Sequence, residues 1–200
     1  MWTSIFLLFL VAVPLMGSPG PATLSLAALG STFGMRPAIS YYFGIVAGTS
    51  AVLMLVAAGF SSLVYAYPRL ATVVGVIAAV YILYLAYKIG TAPIGKSSTS
   101  NATVPSIGAG FLLAIGNPKA FAAIGAVYSS TKIEGLGSAW EIVVKLAVLA
   151  LVIIIVNFIW LVLGSALSAY FTSERTGRLL NIIFALLLVV SVLFAFVGLF

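Results

Sequence analysis

The stretch Gly17-Ser18-Pro19-Gly20-Pro21-Ala22-Thr23 interrupts an apolar run that extends from about Trp2 to Ser31. Pro19 and Pro21 lack a backbone N–H, and their rings clash with the carbonyls of Leu15 and Gly17 four residues back. Each also pushes its predecessor, Ser18 or Gly20, out of the α region. A helix entering from Trp2 therefore stops here. Ser18 suits an N-cap with proline at the first helical position, so a second helix restarts at once. Its free N–H groups, near Ala22, Thr23 and Leu24, present a partial positive charge. A proline kink would be the simpler device, because membrane helices tolerate it. Two prolines and two glycines within five residues favour a full break.

About half a chain further on, Asn117-Pro118-Lys119 repeats the arrangement inside a second apolar run, with Asn117 as cap and Pro118 in the first turn. Lys119 lies too deep to reach water easily. A lysine at a membrane helix centre costs about 2.5–3.5 kcal/mol, so something must compensate for it. Carbonyls freed by the break would suffice structurally; the sharper reading places Lys119 in a site for an anionic group.

The rest of the chain supports a membrane setting. Of 200 residues 64% are apolar and 6% charged, whereas an average soluble domain has about 25% charged residues. Six membrane-crossing helices need about 120 residues. Apolar segments run from about Trp2 to Ser31, Pro37 to Leu63, Pro68 to Thr91, Pro105 to Thr131, Ser138 to Tyr170 and Arg175 to Phe200. Met1 to Met16 could be a cleaved signal, but no Lys or Arg precedes it and Pro19 and Pro21 crowd the cleavage position, so a retained helix is expected. The longest connection, Thr91 to Val104, carries Pro93, Gly95, Lys96 and a Ser/Thr/Asn run and lies near mid-chain. Three spans on either side reverse the insertion direction of the second half. The expected fold is an all-α membrane protein of six transmembrane helices, arranged as two inverted-topology repeats of three (residues 1–91 and 105–200, linker 92–104). Helices 1 and 4 of the six are broken mid-membrane.

There is no Cys, His or Asp, and Glu134, Glu141 and Glu174 are the only acids. Thiol exchange, a His/Cys metal centre and paired-aspartate proteolysis are excluded, and an enzyme is not expected. The nine Lys and Arg are scattered and form no nucleic-acid patch. With both termini outside, the cytoplasmic loops hold Arg36, Lys88, Lys96, Arg175 and Arg178; the opposite orientation leaves Arg69 and Lys132 inside, with Lys145 if it reaches back. Both termini outside is the predicted topology.

Other polar residues carry less. Gly44 to Gly48 offers a small-residue packing face, followed by Thr49 and Ser50. Tyr81, Tyr84 and Lys88 share one helix face, and Tyr81, the deepest, needs a hydroxyl partner. Asn157 reads as an interhelical hydrogen bond, Glu141 and Lys145 as an i, i+4 pair near a helix end, and Trp2, Trp140 and Trp160 as interfacial or packing residues.

Pro19-Gly20-Pro21, Gly44 to Gly48, the run Tyr81 to Lys88 and Asn117-Pro118-Lys119, in this order over nearly the full chain, resemble the lysine-exporter superfamily (LysE/RhtB type). The resemblance implies a six-helix exporter of amino acids or close derivatives in the cytoplasmic membrane of a prokaryote, driven by the proton gradient. Many relatives carry an acid directly after the second glycine of the second-span motif, where this chain has Thr49. No carboxylate is then placed in the membrane interior for proton coupling, and metal cargo is disfavoured. The candidate substrate-binding residues are Ser18, Pro19, Gly20, Pro21, Thr23, Thr49, Tyr81, Asn117, Pro118 and Lys119, with carbonyls such as those of Gly17 and Gly116 as further acceptors. No cofactor or metal is expected. The expected partners are a small-molecule substrate and the lipid bilayer; a coupling proton or ion and a homo-oligomer are left open. A non-transporting scaffold and an inorganic-ion carrier are the competing readings.

Overall fold

A computed structural model describes residues 1–59, 68–92, 104–170 and 174–197. Among them are eight helices and no strand: α1 Trp2–Gly17, α2 Pro21–Phe33, α3 Met35–Ala57, α4 Pro68–Gly90, α5 Ile107–Ile115, α6 Pro118–Ser130, α7 Ser138–Tyr170 and α8 Glu174–Val197. Lys96 and most of the 92–104 linker, like the expected end of the second span near Leu63 and of the last at Phe200, lie outside the described residues.

Among the described residues three helices, within α3, α7 and α8, are long and apolar enough to cross a membrane, or up to five spans if each bent pair counts as one. The pairs are α1 with α2, meeting at 65°, and α5 with α6, meeting at 61°. Of the six spans read from the sequence, α4 provides the shorter apolar helix Gly75–Gly90. The outward surface matches this reading: Ile77, Val80, Leu186 and Leu193 are each about 60% exposed, an apolar coat suited to hydrocarbon and costly in water. The chain is a multi-pass membrane protein.

The two bends form where local chemistry dictates, with one shift of register. Ser18 is not the cap of α2; it is extended at the end of α1, and its hydroxyl turns back to donate to the Leu15 carbonyl at 2.9 Å. Gly20 is the N-cap and Pro21 the first helical residue. The cap works through Thr23, whose Oγ1 accepts from Gly20 N at 3.0 Å. Pro21 rather than Pro19 fills the first turn because Thr23, three residues after Gly20, closes the cap there, and either proline would suit the first helical position. At the second bend Asn117 caps as predicted, its Oδ1 accepting from Lys119 N at 3.1 Å, with Pro118 next.

Close packing of small residues sets the helices around these bends. α3 lies against α5, where a Cβ on Gly110 would stand 2.5 Å from the Tyr41 carbonyl and one on Gly48 2.6 Å from that of Phe111. α2 lies equally close to α7: a Cβ on Gly30 would meet the Leu161 carbonyl at 2.6 Å, and one on Gly164 would collide with Ala27. α3 also packs on α7, and α4 on α8. Two apolar cores result. One gathers α2, the first half of α3, α4, α5 and α8, with Leu161 of α7, around Tyr41, Leu85, Leu113 and Leu188. The other gathers α1, the second half of α3, α6 and the first half of α7 around Leu8, Ile124 and Leu149. Val46 and Trp160 pack against both.

Candidate functional site

Between the bends lies a cavity of about 40 Å³, lined by Met16, Gly20, Ala22, Thr23, Thr49, Asn117, Lys119, Ala120, Ala123 and Ile124. It has room for water-sized groups. Five of the residues singled out in the sequence meet there: Gly20 and Thr23 from the start of α2, Thr49 from α3, and Asn117 and Lys119 from the start of α6. Ser18 joins through its backbone, because the Lys119 ammonium donates to its carbonyl oxygen. The two segments are held together by a cation on a carbonyl.

The prolines act through the chain rather than by lining the cavity. Pro21 is buried and Pro118 half-buried, each at the first position of its helix, and Pro19 is exposed. Tyr81 is not brought to the site. It packs against the first core, its ring 6.3 Å from that of Tyr84. Tyr41 is fully buried, and its hydroxyl donates to Ser25 Oγ at 3.1 Å, while Ser25 donates to the Ala22 carbonyl at 2.8 Å. Tyr41 thereby braces the first turn of α2. Its position gave no sequence signal, since an early tyrosine in a span equally suits an interfacial belt.

Two other readings are corrected and a third, the Glu141–Lys145 pair, holds with a buried lysine. Trp160 does more than fill space: its indole N–H donates at 2.9 Å to the Gly17 carbonyl, freed where α1 ends. Membrane burial makes that carbonyl expensive to leave unpaired, and an indole is a donor that can reach it without adding charge. Asn157 makes no interhelical bond. Its Nδ2 donates to the Ile153 carbonyl of its own helix at 2.8 Å, and its buried Oδ1 has no partner among the described residues. Glu141 and Lys145 do pair, at 2.9 Å, but Lys145 is buried. The pair clamps the turn between α6 and α7: Lys145 donates to the Tyr128 carbonyl at 3.2 Å, and Glu141 accepts from Ile133 N at 3.2 Å.

No lining residue of the cavity is acidic. Its electrostatics are set by the Lys119 ammonium and by the N-terminal ends of α2 and α6, each 13 residues long, both of which favour negative charge. Polar acceptors are limited to the hydroxyls of Thr23 and Thr49, the Asn117 amide and backbone carbonyls. Such a site suits a carboxylate joined to a group that neutral oxygen can hold. No cluster of metal-binding side chains occurs among the described residues.

Residues 13–200 match the sequence model of a family described as LysE type translocator. No solved structure matches the chain.

Proposed function

The chain belongs to the LysE type translocator family, and from that premise we propose that it exports amino acids or closely related small solutes across the cytoplasmic membrane by alternating access. The observation that carries this reading is the convergence of Lys119 and the starts of α2 and α6 on one cavity. A substrate carboxylate accepts from the N–H groups at one helix start, and Lys119 supplies the full positive charge. Thr23, Thr49 and Asn117 orient the rest of the solute. Ser18, Pro19, Gly20, Pro21 and Pro118 shape the segments that present these groups, while Tyr81 bears on the site only through the packing of α4.

Two inverted repeats, residues 1–91 and 105–200 joined by 92–104, supply the geometry, each opening with a helix broken within the membrane. Supporting this is the exchange of packing partners. α3 lies against the bent pair of the second half and α7 against that of the first, while α3 meets α7 and α4 meets α8. A pseudo-two-fold axis in the membrane plane produces this kind of exchange. The cavity lining draws on both cores, Ala22 from the first and Ile124 from the second, so loosening one while the other stays closed would open the site to one face at a time. Both termini lie outside, in a prokaryotic inner membrane. The lining offers no carboxylate to carry a coupling proton.

The test is export from cells loaded with an amino-acid mixture through dipeptides. The amino acid that leaves faster than from cells lacking the protein is then compared with its amide. The amide should leave at least about tenfold more slowly, the loss expected for one charge-assisted contact. Equal rates would overturn the carboxylate site.

A further inference from the structure

We infer that the backbone carbonyl of Ser18 is a binding subsite for a primary ammonium group, filled by the Lys119 side chain when the protein is empty. The second half of the inference rests on the carrier reading above: when an amino acid binds, its carboxylate draws Lys119 away and its own ammonium takes the carbonyl. Three observations carry this.

The first is the bond itself, from Lys119 Nζ to Ser18 O, between residues that lie on opposite halves of the chain. The second is the room made for it. A Cβ on Gly20 would stand 2.5 Å from Lys119 Cδ and 3.1 Å from its Nζ, so the lysine chain lies across a position that only glycine leaves clear. Gly20 has φ −174° and ψ 178°, an extended backbone open to any residue, so its conformation does not demand glycine. The lysine does. The third is how the neighbouring acceptors are used. Leu15 O accepts from the Ser18 hydroxyl and Gly17 O from the Trp160 indole. Beside them, Ser18 O holds the ammonium; the Thr23 hydroxyl, 3.4 Å away, has the Gly20 carbonyl as its nearer acceptor at 3.1 Å.

The chemistry explains how a site without an acid can hold an amino acid. A zwitterion brings one negative and one positive group. If its carboxylate pairs with Lys119 while its ammonium replaces Lys119 on the carbonyl, every charged group is matched before and after. The net charge of the site is +1 in both states. No side chain has to gain or lose a proton for the exchange. The ammonium of Lys119 and that of the substrate are chemically alike, so the carbonyl that stabilises one suits the other.

Binding of alkylammonium ions tests the subsite without any transport step. Trp160, bonded to the residue before Ser18, is the reporter once Trp2 and Trp140, both exposed, are replaced by Phe. In lipid nanodiscs, Lys119→Ala should gain a saturable change in Trp160 fluorescence with n-propylammonium chloride, whose atoms match those the truncation removes. Half-saturation should fall at a concentration at least about tenfold lower than in the Lys119 parent, and n-propanol should have no effect. Gly20→Ala is the second variant. Its methyl pushes the lysine chain off the carbonyl while keeping the charge, and it should gain a response to methylammonium. The subsite is overturned if neither variant that folds responds, if the parent responds equally, or if propanol matches the ammonium. Equal export of an amino acid and its amide would instead sink the carboxylate site and leave this binding result standing.

Discussion

The Lys119 ammonium, from the first turn of α6, donates to the carbonyl of Ser18 in the segment between α1 and α2. One hydrogen bond thus joins the two interruptions of the chain and gives a half-buried lysine an acceptor. The cation finds an acceptor that the break itself has freed, so the charge and the interruption stabilise one another.

Removing that charge separates binding from folding. Lys119→Met keeps much of the side-chain length and sets a lysine insertion cost of about 2.5–3.5 kcal/mol against the lost bond to the Ser18 carbonyl. The variant should accumulate in the membrane at the parent level, measured by immunoblot, while export of the identified amino acid falls at least about tenfold. Normal export, or a failure to accumulate, would show that Lys119 does not serve binding.

Straightening the first bend should abolish export with insertion intact. Pro19→Ala with Pro21→Ala restores two backbone donors and permits α1 to run on into α2, so no free N–H groups face the cavity. Membrane fractionation should find the double variant inserted and a flux assay should find it silent. Full activity would mean that the open start of α2 is dispensable.

Orientation is checked by thiol labelling, made simple by the absence of native cysteine. The Lys/Arg distribution puts Ser98, in the linker, in the cytoplasm and Ser138, at the start of α7, outside. An impermeant maleimide on intact cells should label Ser138→Cys and spare Ser98→Cys. The reverse pattern would invert the topology.

The α2–α7 interface should tolerate no side chain at Gly164. Valine there places its Cβ against the Ala27 backbone, which cannot move aside as a flexible side chain would. Overpacking of this kind costs about 1–3 kcal/mol, so the melting temperature in detergent should fall by several degrees. Val73→Ala on the exposed face of α4 should leave it nearly unchanged. An unaltered melting temperature for Gly164→Val would show that the helices can separate there at little cost.

What the sequence determined was local and covalent in origin. A single proline can be carried within a helix, as Pro14 is in α1, but clustered Pro and Gly, or a proline behind a capping Asn, stop it, so the interruptions at Pro19–Pro21 and Pro118 were legible, as was the Asn117 cap that closes on a neighbour two residues away. Long apolar runs fixed the helical membrane class, because unpaired backbone has no partner in hydrocarbon. Even locally the reading was one residue pair early, since Ser18 and Gly20 both precede a proline and only the Thr23 hydroxyl settles which of them caps α2. Tertiary structure alone decided the rest. Nothing in the spacing tells Lys119 that its acceptor lies on Ser18, Trp160 that it pairs with Gly17, or Tyr81 that α4 holds it away from the cavity. Those partners are chosen by which helices the glycines allow to touch. In a chain whose helices are apolar on nearly every side, close approach at small residues sets the packing more than any hydrophobic pattern can.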